Sequence, residues 1–214
     1  MNPVVLFGAS RGLGFEVARY FRAMGAEVYA MVRKPERAAT LEEMGVNVVL
    51  GDALERKSIK AFLDSSPENA VAVSTMGSFQ ADTPVDYVGH RSVIDELEQR
   101  NLRRFIMVTS LGCGDSWSYL SDKAKAVFGN SVREKSLAES WLTTSGLDYT
   151  ILRPGGLQDG EVTGQGKLYN EGEVHGLITR SEVARMIYQL ICDDNAIGKV
   201  YACVDPVFTK NIIK

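Results

Sequence analysis

Near the start of the chain, three glycines separate an apolar tetrad from a helical pattern in the stretch VVLFGASRGLGFEVARYF, residues 4–21. Val4–Phe7 has the continuous apolar character of a central parallel strand. Phe15, Val17, Ala18, Phe21 and Met24 then recur at helical spacing, and Gly25 suits the C′ stop. Gly8 can make the tight turn between the two elements. Gly12 lets the backbone approach an extended anion, and Gly14 lets the helix pack close to the strand. Ser10 and Leu13 fill out the loop, whose free N–H groups would face a pyrophosphate. A glycine pattern alone is weak evidence; the strand before it and the helix after it are the context that strengthens it.

Strand-like and helix-like segments keep alternating after this loop. Strands are expected at 27–32, 47–50, 70–74, 105–109, 149–152 and 200–204. Helices are expected from Pro35 to Met44, around 58–63, through Val88 to Leu97, from Ser131 to Ser145, and from a Ser181 cap through Leu190. Thr83 or Asp86 is the expected cap of the helix that begins near Val88. Repeated β-α units of this kind predict an α/β fold, a single domain with a Rossmann-type doubly wound parallel sheet. Two stretches, 112–130 and 155–179, read as irregular substrate-side loops. Both follow strands, at the carboxyl edge where such sheets bind ligands.

The bulk properties exclude several classes. The 214 residues carry a net charge of −3 and no dense basic run, so a nucleic-acid face is not expected. No apolar run approaches the ~18 residues a membrane helix needs. Cys113, Cys192 and Cys203 are too far apart for a C-x-x-C pair, and His90 and His175 lack partners at ligand spacing, so no metal is expected. Unpaired thiols and a first strand beginning at Val4 predict a cytoplasmic chain with no signal peptide. A monomer is expected.

The end of the second strand bears on the choice of dinucleotide. An NAD site needs a carboxylate there, but Arg33 and Lys34 stand in that place and Arg11 lies inside the glycine loop. Guanidinium groups suit a 2′-phosphate, so NADPH is the expected cofactor.

At this point the chain resembles the short-chain dehydrogenase/reductase superfamily, and more closely its atypical NmrA-like branch, over nearly its whole length. The resemblance rests on GASRGLG, MVRKPER, GDALERKSI, VTSLG, REKSLAESWLTTSGLDYTILRPGGL and ITRSEVARMI. It implies that Asp52 and Ala53 lie beside the adenine, and that Ser110 is the strand-five serine. It also implies that Lys135 and Glu139 form the branch's K-x-x-x-E pair, ahead of a strand ending at Pro154. Within the branch, size and layout are most similar to the biliverdin-IXβ reductase/flavin reductase type. The sequence also departs from the pattern. STMG at 74–77, which includes Met76 and Gly77, replaces the usual N-N-A-G. Ser131 stands four residues before Lys135, where a tyrosine is usual. A literal Y-x-x-x-K occurs at Tyr119–Lys123, but it lies ahead of the helix and reads as a coincidence.

Without that tyrosine, hydride transfer to a flavin (FMN, FAD or riboflavin) or a biliverdin-type linear tetrapyrrole is the expected reaction. A conjugated acceptor can take its proton from water or from its own acidic groups, so the protein has mainly to position the rings. Ser110 and Lys135 would be the catalytic pair, and Pro154 and Leu157 the wall behind the ring. Trp117, Tyr119 and Phe128 offer flat faces to a planar substrate, and Lys123, Lys125 and Arg133 could meet its anionic groups. The same aromatics could equally cover the core, and the same lysines could be solvated. Trp141 reads as core. The alternative is an NADP(H)-binding redox sensor or scaffold without turnover; a nucleotide-sugar epimerase is a third reading, for which 214 residues leave little room.

Arg33→Ala is expected to weaken NADPH binding far more than NADH binding. A charge-assisted contact to phosphate is worth roughly 1.5–3 kcal/mol, or about 10- to 150-fold. Calorimetry showing that the unaltered protein binds NADH and NADPH equally would overturn the assignment.

Overall fold

The computed structural model describes residues 1–78 and 83–209. Eight strands form one sheet. In chain order, β1 is Val4–Phe7, β2 Val28–Val32, β3 Asn47–Leu50, β4 Val71–Ser74, β5 Arg104–Val108 and β6 Asp148–Pro154. Two short strands, β7 (Gly156–Gln158) and β9 (Leu177–Thr179), pair separately, while β8 (Lys167–Tyr169) and β10 (Lys199–Val204) join the main sheet. The spatial order is β3-β2-β1-β4-β5-β6-β10-β8. All neighbours are parallel except β8, which runs antiparallel to β10 at the edge. The order reverses at β1, between β2 and β4, which is where such sheets open a ligand crevice.

Alternation along β1 divides the core. Val4 and Leu6 face one side with Val17 and Phe21 of α1 (Gly12–Ala23) and Ile187 of α6 (Arg180–Ile191). Val5 and Phe7 face the other with Phe62 of α3 (Arg56–Asp64), Leu97 of α4 (Val88–Gln99) and Leu142 of α5 (Asp122–Thr143). Phe7 meets Phe62 edge-on, with centroids 5.3 Å apart. That contact contributes about 0.5–1.5 kcal/mol beyond burial and fixes the end of β1 just before Gly8.

Several boundaries differ from the sequence expectation. The segment after Pro35 is a 3-10 turn, Pro35–Arg37, followed by α2 at Ala38–Glu43. Helix α5 begins at Asp122, because Ser121 caps it by accepting from the Ala124 N–H. Much of the expected 112–130 loop is therefore helix, preceded by a 3-10 turn at Gly114–Tyr119. Thr179, not Ser181, caps α6, and its hydroxyl accepts from the Glu182 N–H. The 155–179 stretch holds three short strands. Asp86 and Thr83 do not cap α4, whose N-cap position is Tyr87, without a side-chain bond.

Buried His90 on α4 shows where Asp86 is engaged instead. Its Nδ1 lies 2.7 Å from the Asp86 carbonyl, which can only accept, so Nδ1 carries the proton. Nε2 then accepts from the Ser74 hydroxyl at 2.9 Å. Burial pushes the imidazole down to about 4 from its ordinary 6.5. Between those values the unfolded chain takes up a proton that the native state refuses, so stability is present above 6.5 and falls on acidification. His90→Asn keeps a donor without the titration. Urea unfolding should show the loss between pH 7 and pH 5 smaller in this variant by about 2 kcal/mol; equal losses would overturn this reading.

Candidate functional site

A cleft of about 1210 Å³ opens over the reversal point of the sheet. Its floor is the glycine loop. Gly8 and Gly12 hold left-handed backbones, φ +90° and +55°. A Cβ on Gly8 would stand 2.9 Å from the Met76 nitrogen, and one on Gly14 would stand 2.0 Å from the Gly8 oxygen. Helix α1 starts with Arg11 at the N-cap, without a side-chain cap and with no acid in its first turn. Its N–H groups and positive dipole end are thus left to an anion. A backbone cradle that any Cβ would fill, at an uncapped helix start, fits the pyrophosphate of a dinucleotide.

The expected dinucleotide residues come together here. Gly8, Ser10, Arg11, Gly12 and Leu13 line the cleft with Arg33, Asp52 and Ala53. Met76, Gly77, Ser110, Lys135, Pro154 and Leu157 line it as well. Gly14 does not; it is spent on the contact with Gly8. Arg33 lies 3.8 Å from Asp52, which also accepts from the Leu54 N–H.

At the other end of the cleft, the Lys135 ammonium contacts the fully buried Asp86 carboxylate. Asp86 also accepts from the Ser78 N–H at 3.0 Å and the Ser78 hydroxyl at 2.9 Å. Burial pushes the Lys135 ammonium down to about 8. Gly77 leaves room for it, since a Cβ there would be 3.0 Å from Nζ. The Ser110 hydroxyl lies 3.6 Å from the Cys113 thiol. Burial pushes that thiol up to about 11, so Cys113 is a protonated packing residue.

Behind the cleft, Arg153 of β6 forms a paired bond to Glu139, 3.0 and 2.6 Å, and reaches Asp115 at 2.5 Å. Glu139 also accepts from Thr109 at 2.6 Å. The K-x-x-x-E pair therefore divides its work: Lys135 faces the cleft, and Glu139 locks α5 to the sheet.

Of the aromatics expected at the acceptor, Phe128 lines the cleft and the others fall elsewhere. Trp117, Tyr119, Lys123 and Lys125 do not line the cleft. The segment is helical, and Trp117 packs back on it. Arg133 lies 5.0 Å and Lys125 5.7 Å from the Trp117 ring centre, and a Cβ on Gly129 would stand 3.2 Å from the ring. Lys123 lies in the exposed first turn of α5. Tyr119 lines a separate recess of about 90 Å³ with Arg153, Tyr169 and His175. Phe128, with Ser131 and Val132 of α5, forms this wall. Trp141 is not core: its Nε1 donates to Asp95 at 2.8 Å and Arg91 covers its ring. Two charged cleft residues lie outside the expected set, Asp86 and Arg180. Asp86 carries no local signal, since its partner is 49 positions away. Arg180 is the third residue of the ITRSEVARMI segment, so its signal lies in that motif. Among the described residues no group of His, Cys, Asp and Glu could hold a metal, and no helix is long and apolar enough to cross a membrane.

Comparison with known proteins bears on the family and the fold. The family described as NAD(P)H-binding matches residues 8–194. ChuY, an anaerobillin reductase from Escherichia coli O157:H7, is 44% identical with a TM-score of 0.90, over 96% of this chain and 98% of that one. The uncharacterized sugar epimerase YhfK of Bacillus subtilis is 28% identical over 92% of both chains. A Veillonella parvula short-chain dehydrogenase/reductase in complex with NADP shares the fold at 18% identity and TM-score 0.72, over 96% of this chain and 95% of that one.

Removing Glu139 would leave Arg153, whose side chain is 10% exposed, with only the exposed Asp115. Glu139→Ala is expected to lower unfolding free energy by about 3–5 kcal/mol, the cost of an unpaired buried charge. A urea-denaturation loss under about 1 kcal/mol, the value of a surface pair, would contradict this.

Proposed function

This chain belongs to the NAD(P)H-binding family, an atypical branch of the short-chain dehydrogenases/reductases, and on that premise we propose that it is an NADPH-dependent reductase of a linear tetrapyrrole. The observation that carries the proposal is the likeness, along almost the full length of both chains, to an anaerobillin reductase. The size of the cleft supports it. Drug-sized ligands occupy sites of about 300–1,000 Å³, and 1210 Å³ leaves room for a dinucleotide and an acceptor together.

Arg11 and Arg33 on the cleft wall support NADPH over NADH, because guanidiniums suit the 2′-phosphate. When bound, the nicotinamide supplies the hydride. The chain's own residues bind and orient. Lys135, held by Asp86, would donate from Nζ to ribose hydroxyls, and Ser110 would hydrogen-bond the carboxamide or the acceptor. Phe128, Pro154 and Leu157 would supply the apolar wall that excludes water from the reacting rings. With Ser131 in the usual tyrosine position, no phenol stands before Lys135 as a proton donor, which suits a conjugated acceptor better than a simple ketone. Ser110 and Lys135 on one cleft favour turnover over a sensor that only binds.

The test is loss of NADPH absorbance, under anaerobic conditions, with anaerobillin, biliverdin, FMN and riboflavin in turn. A tetrapyrrole is expected to be reduced with a kcat/KM at least about tenfold above either flavin, within the range a shaped pocket can discriminate. Preference for a flavin would move the reading to flavin reductase. Tight NADPH binding with no turnover of any acceptor would move it to a sensor.

A further inference from the structure

Beside Arg11, Arg33 and Lys135 the cleft lining carries a fourth cation, Arg180. Arg180 is the first residue of α6, and it lines the cleft with Ser10, Arg11 and Gly12. Its Nε would lie 3.7 Å from a Cβ on Gly12, so the guanidinium stands over the loop position where the backbone is bare. Two rigid elements set this placement. Ser181 donates to Glu16 of α1 at 3.0 Å, which ties the start of α6 to α1. The Thr179 cap fixes the residue just before Arg180.

The bonding of Arg180 is incomplete. Nη1 donates to Asp159 at 2.7 Å, and among the described residues Nε and Nη2 have no hydrogen-bond partner. Asp159 is 97% exposed, so the pair sits in high dielectric and is cheap to break. Phosphate oxygens offer a guanidinium a planar, two-pronged partner with more charge. The segment that carries Asp159 is secured independently of Arg180. Buried Glu182 accepts from the N–H groups of Gly164 and Gly166, at 2.9 and 2.8 Å.

We infer that Arg180 is a dinucleotide latch: it exchanges the Asp159 carboxylate for the pyrophosphate held on the glycine loop, and so clamps the cofactor from the α6 side. This rests on reading the cleft as an NADP(H) site. The pyrophosphate is common to both dinucleotides, whereas the 2′-phosphate expected at Arg33 belongs to one.

Calorimetric titration with NADPH and NADH separates these roles. Arg180→Met should weaken both dinucleotides by the same factor, about 10- to 150-fold, leaving their ratio unchanged. Arg180→Lys should recover part of the loss. Asp159→Asn, at an exposed position that folding does not depend on, removes the competing carboxylate and should tighten both ligands about two- to fivefold, the scale of a surface pair. The latch is overturned if Arg180→Met binds both dinucleotides as the unaltered protein does, if it weakens NADPH alone, or if Asp159→Asn weakens binding. Failure of the unaltered protein to bind either dinucleotide would instead overturn the cofactor reading on which the latch rests.

Discussion

A methyl group on Gly14 would sit 2.0 Å from the Gly8 carbonyl oxygen and 2.5 Å from the Thr75 hydroxyl, so α1 meets the end of β1 at a distance only glycine permits. That contact sets the architecture of the cleft. It puts the uncapped start of α1 directly over the place where the sheet order reverses, between β2 and β4. It also joins two layers of the loop, because Thr75 follows β4 and its hydroxyl reaches the carbonyls of Phe7 and Gly8. The cradle is therefore made by backbone closeness rather than by side chains, and it is complete before any ligand arrives.

The other half of the cleft depends on α5. Two ion pairs place this helix, and they start one turn apart. Lys135 reaches across to Asp86 just before α4, and Glu139 holds Arg153 on β6. Taking such pairs out of water costs as much as their attraction returns, and apolar side chains of similar size would hold a helix equally well. Their value is positional. The first leaves an oriented ammonium on the cleft wall beside Gly77. The second keeps the C-terminal end of β6, with Pro154, in register with Thr109 at the end of β5.

How much of this was legible in the sequence follows from the range over which each signal acts. The glycine loop, the seven expected strands and the doubly wound order rest on spacing within a dozen residues, and they stand as expected; the three short strands within 155–179 carry no such signal. Arg33, Asp52, Met76, Ser110, Lys135 and Leu157 also line one cleft, since each lies just after a strand or on a helix of the recognised pattern. The start of α5 was obscured because Gly129 and Asn130 interrupt its pattern. Gly129 gives the Trp117 ring room there, since a Cβ would stand 3.2 Å from it. With the helix unseen, Trp117 and Lys125 looked like loop residues free to meet a ligand, whereas they stack on each other. Asp86 looked like a helix cap, because a carboxylate just before a helix usually is one. Its true partner, Lys135, is distant in sequence, and no local rule brings the two together.

The distribution of charge in the cleft links these parts. The protein is acidic overall, at −3, yet its cleft carries Arg11, Arg33, Lys135 and Arg180 against Asp52 and Asp86. Asp52 and Asp86 already lie against cleft cations, Arg33 and Lys135. Arg180 has only the exposed Asp159 against it, so the excess positive charge falls on Arg11 and Arg180, which flank the glycine loop from α1 and α6. Low-dielectric walls focus such a field, and the dipole end of α1 adds to it. An anion is drawn to this loop, where the first N–H groups of α1 carry no side-chain cap. Phe128, Pro154 and Leu157 are the apolar part of the same lining, and there a flat conjugated acceptor would lie against the nicotinamide while the pyrophosphate stays on the glycine loop.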